Sequence, residues 1–91
     1  MKQTIAINFY VDPGHGWFKV KRDVLSKLRI ADKISHYSFE RGEFVYLEED
    51  CDAGYLFKAL KEHGIEPKVK QHVAMYKQSR IRNYNRYKVA A

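Results

Sequence analysis

The residues best suited to chemistry lie near the C-terminus. Arg80, Arg82, Tyr84, Arg86 and Lys88 occupy alternate positions. On a β-strand that spacing puts all five on one face, with the arginines along about 20 Å of chain. Four cations in such a row suit a series of phosphates, and a tyrosine among them suits stacking on a base. From Glu66 onward, Lys or Arg stands at 68, 70, 77, 80, 82, 86 and 88 against that one acid. The competing reading makes residues 79–91 a flexible, solvated basic tail.

A second candidate is the run Asp12-Pro13-Gly14-His15-Gly16-Trp17. Glycine-rich turns can aim several backbone N–H groups at one anion, so Gly14, His15, Gly16 and Trp17 form a candidate phosphate loop. His15 would hydrogen-bond the phosphate or shuttle a proton. No nucleotide-binding glycine motif surrounds it, and a hairpin turn with Trp17 packed on a sheet explains the same residues.

The acidic run Glu48-Glu49-Asp50-Cys51-Asp52 offers oxygen ligands without the spacing of a calcium loop, and charge matching at a helix start accounts for it. No metal is assigned. Cys51 at that helix start could be a lowered-pKa nucleophile if His15, His36, His63 or His72 reached it. A small buried thiol is the simpler expectation. Paired metal-ligand motifs, a serine nucleophile elbow and kinase motifs are absent. This argues against an enzyme: no catalytic residue and no cofactor is assigned, and binding is the expected activity.

The elements that must carry these residues follow from periodicity. Residues 3–11 alternate, with Ile5, Ile7, Phe9 and Val11 on one side, and predict a strand. The turn at 12–16 and a strand Trp17–Lys21 complete a hairpin. Asp23 is a candidate N-cap for a short helix carrying Val24, Leu25 and Leu28. Ile34–Arg41 and Glu43–Leu47 predict a second hairpin around Gly42. Asp52 opens the clearest helix, whose stripe runs Ala53, Leu56, Phe57, Leu60, His63, and Gly64 ends it. A strand follows Pro67, and Ser79–Val89 predicts a final one. The order ββαββαβ, with an extra C-terminal strand, gives an α+β fold: a small mixed or antiparallel sheet with two helices on one face.

Ninety-one residues make a single domain, 1–91, with a modest core. A content of 45% hydrophobic and 31% charged residues is too apolar for disorder. Seventeen Lys and Arg against eleven Asp and Glu leave a net charge of +6, which favours anionic partners. One cysteine excludes an intrachain disulfide and suits a reducing compartment. With no signal-type apolar region and no bilayer-length run, the chain is expected in the cytoplasm of its cell, without membrane contact.

Four runs, Asn8-Phe9-Tyr10-Val11-Asp12-Pro13-Gly14-His15-Gly16-Trp17, Ile30-Ala31-Asp32-Lys33-Ile34-Ser35, Tyr46-Leu47-Glu48-Glu49-Asp50-Cys51-Asp52-Ala53 and Ser79-Arg80-Ile81-Arg82 with Tyr84 and Tyr87, resemble a group of small proteins of tailed bacteriophages, prophages and plasmids. The resemblance implies a mobile-element setting, in which accessory proteins counter host defences, and no residue roles. The expectation is a non-catalytic binder of nucleic acid or a nucleoprotein. Sequestration of a small nucleotide signal in a pocket at a homodimer interface, and direct inhibition of a host protein, are the alternatives.

Overall fold

The computed structural model describes residues 3–89. Strand β1 (Gln3–Val11) turns through residues 12–15 into β2 (Gly16–Lys21). Helix α1 (Arg22–Lys27) follows without a break. Its N-cap is Lys21, in extended conformation and with no side-chain cap bond, so Asp23 is not the cap. Asp23 lies instead in the first turn and pairs with Lys27 at 3.0 Å, one turn on. A helix of six residues is marginal alone. Packing holds it, through Leu25, which is fully buried.

A 3-10 turn (Ala31–Lys33) leads to β3 (Phe39–Arg41) and β4 (Phe44–Glu48), joined around Gly42 at φ 58°. The expected strand from Ile34 begins only at Phe39. Ser35 and Ser38 are drawn aside by Asp52, whose carboxylate accepts from the Ser35 backbone N–H and from both serine hydroxyls. Asp52 therefore ties this loop to the start of helix α2 (Ala53–Glu62) and makes no side-chain cap bond. In α2 the buried stripe is Ala53, Leu56, Ala59 and Leu60; His63 is exposed just past the helix end and is no part of the packing. Gly64, at φ 68°, reverses the chain into β5 (Ile65–Val73).

The sheet order is β5-β1-β2-β4-β3-β6, where β6 is Asn85–Arg86. Strand β5 runs parallel to β1; the other pairs are antiparallel. The fold is thus a mixed six-stranded sheet with two helices, as the element order predicts. Pro67 lies inside β5, which is tolerable because β5 is an edge.

The sheet has two unlike faces. Ile7, Val20, Val45 and Leu47 meet Leu25 of α1 and Leu56 and Leu60 of α2 in the main core. Each such side chain contributes roughly 1.5–3 kcal/mol on burial. Neither α-helix packs on the opposite face. At one end of it a smaller cluster forms from Trp17, Phe39, Tyr46 and Ile81, with Tyr10, Phe44 and Tyr84 packed against it.

Ile81 and Tyr84 come from the C-terminal segment, which is not one long strand. Residues Arg80–Asn83 form a 3-10 turn, capped by the Ser79 hydroxyl accepting from the Ile81 N–H at 3.2 Å. In that geometry positions three apart share a face, so Ile81 and Tyr84 both turn onto the sheet. Only Asn85 and Arg86 then pair with β3. Tyr87 enters the main core and donates its hydroxyl to the Ala31 carbonyl at 2.7 Å. Residues 79–89 are docked through Ile81 and Tyr87, not trailing as a tail; Ala90 and Ala91 lie outside the described residues. No helix among the described residues is long and apolar enough to cross a membrane.

Candidate functional site

The 3-10 turn breaks the alternation that would have aligned the C-terminal cations. Arg80 and Tyr84 border one groove, Arg82 and Arg86 another hollow, and Lys88 neither. The single-face array of Arg80, Arg82, Tyr84, Arg86 and Lys88 is therefore not formed. Arg86 stacks over Phe39, with its guanidinium carbon 4.7 Å from the ring centroid. The Lys88 N–H donates to Glu40 at 3.3 Å.

Arg82 has a structural partner. Its Nε donates to Asp12 Oδ2 at 2.7 Å and its Nη2 to Asp12 Oδ1 at 2.8 Å, a two-pronged pair with a carboxylate that is fully buried. The same carboxylate accepts from the N–H groups of Gly14 and His15, both at 3.0 Å, and of Ser79 at 2.8 Å. The Arg82 guanidinium and these backbone donors hold the Asp12 carboxyl well below the usual carboxylate range, against the opposing effect of burial. The glycine loop does aim N–H groups at an anion, as its composition predicts, but the anion is the protein's own Asp12. Gly14 and His15 are thus not free as a phosphate loop. Gly16 and Trp17 are buried. A Cβ on Gly16 would lie 2.5 Å from the Phe9 ring. Trp17 packs edge-on to Phe39, and its buried indole N–H has no hydrogen-bond partner among the described residues.

The acidic run is also internally engaged. Glu48 is buried; its Oε2 accepts from the N–H groups of Asp50 and Cys51, both at 2.8 Å, and its Oε1 lies 3.3 Å from His15 Nδ1. His15, Glu48 and Asp50 bring ligand atoms within 4.8 Å of one another, a grouping that the scattered sequence positions conceal. Glu48 Oε2 serves the turn that starts α2, and Oε1 faces His15. Cys51 is exposed, not a buried thiol. Its hydrogen bond to Glu48, first, and the surrounding carboxylates push its pKa up, the opposite of an activated nucleophile.

The open sheet face is cationic as well as aromatic. The register builds cross-strand rows upon it. One row runs Lys70, Asn8, Lys19, Tyr46, Phe39, Arg86 across all six strands. The next holds Lys68 beside Ala6, and Lys21, Phe44 and Arg41 in line. A third joins His72, Tyr10, Trp17 and Glu48. Lys70 and Lys19 stand two strands apart, about 10 Å, with only Asn8 between them. The Lys19 ammonium lies 4.1 Å from the Phe44 ring centroid, and Lys68 pairs with Glu66 at 3.0 Å.

Beside these lysines the chain from Val73 to Tyr84 folds back and forms a groove of about 590 Å³ against the sheet, within the range of ligand sites. Its floor carries Tyr10, Lys19, Tyr46 and His72; its wall carries Lys77, Arg80 and Tyr84. Tyr10 and His72 stack with centroids 4.8 Å apart, and His72 Nε2 lies 3.1 Å from Asn8 Oδ1. Burial, and then the neighbouring Tyr84, push the Tyr46 hydroxyl pKa up, so it stays neutral in the groove. Residues 10, 19, 46, 68, 70 and 72 were all placed on strands by their spacing. What single-strand reading misses is that β5, β1, β2 and β4 are neighbours in that order. No protein-family model, no curated protein and no solved structure matches this chain, so the functional reading rests on these side chains.

Proposed function

We propose that the protein binds single-stranded nucleic acid on the open face of its sheet, without catalysis. The observation that carries this reading is the cross-strand placement of Lys68, Lys70, Lys19 and Lys21 beside a groove walled by tyrosines, His72 and Arg80. Lysines supply affinity for phosphates in any sequence, and flat rings supply surfaces for unpaired bases. A duplex keeps its bases stacked and would leave the rings unused. The net charge of +6 adds long-range attraction. Of the sequence-predicted residues, Arg80 and Tyr84 border this groove, while Arg82 is held by Asp12. The resemblance to phage and plasmid proteins supports a counter-defence setting, in which the bound strand belongs to a nucleic acid or nucleoprotein of the host cell.

The test is fluorescence anisotropy of the whole protein with a labelled 12-nucleotide strand over a salt series. Three or four neutralised phosphates give a slope of log affinity against log salt of about −2 to −3. Lys19→Glu with Lys70→Glu weakens binding to all sequences and flattens the slope by about 0.7 per lysine. A salt-independent affinity, or a double variant that binds like wild type, would sink the proposal.

A further inference from the structure

We infer that the groove between the open sheet face and residues 73–84 is a pocket for one unstacked nucleobase, so that this surface reads bases as well as phosphates. The inference rests on the nucleic-acid reading above and assigns the groove within it. Tyr10 and His72 sit on adjacent strands, and their 4.8 Å ring separation matches the strand spacing. The two rings therefore stand side by side off the sheet and turn their faces along it. Tyr10 is backed by the small cluster, so the stacking ledge is the His72 side of the pair, on the edge strand β5.

Across the groove, Tyr84 is held in place from two sides. Its ring centroid is 5.1 Å from that of Tyr46, and the Arg41 guanidinium lies 5.0 Å from its ring. A ring fixed by its neighbours loses little freedom when a base joins it, which favours binding. Lys19 and Arg80 border the same groove, so a base seated there would have cations for its own and the adjoining phosphate. Gln78 and Asn83 also border it. Their amides each offer a donor and an acceptor, the set needed to pair with a base edge. The Asp12–Arg82 pair and the Ser79 N–H bond anchor the chain that forms the wall, so the groove is preformed.

The experiment compares two strands of equal length with wild-type protein: a 12-nucleotide DNA carrying bases, and its abasic counterpart carrying only sugar and phosphate. Seating a base predicts that the abasic strand binds about 5- to 100-fold more weakly with an unchanged salt slope. His72→Ala and Tyr10→Ala, each confirmed folded by thermal melting, should remove most of the difference between the two strands. Equal affinity for the two strands, with a normal salt slope, would overturn the base pocket and leave phosphate binding standing. Loss of binding to both strands in wild type would overturn the nucleic-acid reading itself, and the pocket with it.

Discussion

Asp12 and Arg82 are the pair on which the loop and the C-terminal segment both depend. Arg82 is partly exposed and Asp12 fully buried, so removal of the cation leaves a buried carboxylate supported only by backbone N–H groups. Arg82→Ala is expected to lower unfolding stability by about 3 kcal/mol, measured by urea titration. The pH dependence follows from the lowered Asp12 pKa. The unfolded chain takes up a proton on Asp12 near pH 4, whereas the folded chain resists. The stabilisation is whole above about pH 4 and is lost as pH falls below that value. Urea midpoints should therefore fall steeply between about pH 4 and pH 2, and the fall should be shallower in Asp12→Asn. At Cys51 the raised pKa predicts slow alkylation at pH 7.5 relative to free cysteine, followed by mass spectrometry. The aspartate and the arginine were visible in the sequence as a turn residue and a candidate phosphate ligand. Their pairing across 70 positions was not, because nothing local in either segment depends on the other.

At the scale of elements, the strands and helices with strong periodicity formed where their patterns predict: β1, β2, β4 and α2. Two short segments did not. Ile34–Ser38 is expected in a strand because Tyr37 and Phe39 share a parity, yet the Asp52 carboxylate draws Ser35 and Ser38 into a loop. Ser79–Val89 alternates too, but its parity sets Ile81 against Tyr84, and burying both on the sheet requires a 3-10 turn. The segment is thus part of the fold. A chain ending at Gln78 would lose Ile81 and Tyr87 from the two clusters and the Arg82 partner of Asp12. It is expected to be largely unfolded at 25 °C by circular dichroism, where loss of a mere tail would leave the melting curve unchanged. Gly16→Ala is a milder case: the new methyl would press on the Phe9 ring in the β1–β2 pair. Overpacking of this kind costs about 1–3 kcal/mol, read as a lowered melting temperature.

For the whole molecule, the two faces of the sheet divide the work. One is buried under both helices and supplies stability; the other carries the lysines and the groove to which binding is assigned above. Charge reversal on the open face should therefore change binding and its salt dependence with little effect on unfolding, whereas substitutions at Val45 or Leu47 should do the reverse. Lys19→Glu with Lys70→Glu is expected to melt within a few degrees of wild type while losing strand binding. The sequence by itself determined the class of the fold, the main core and the excess of positive charge, since these depend on local periodicity and composition. It also set the face of every lysine within its own strand. Only the tertiary structure decided which strands are neighbours, and hence that Lys70 and Lys19 flank Asn8 while Arg82 turns inward to Asp12. The physical reason is that side-chain direction is a property of a few consecutive residues, whereas strand order and long-range ion pairing are settled by the packing of the chain as a whole.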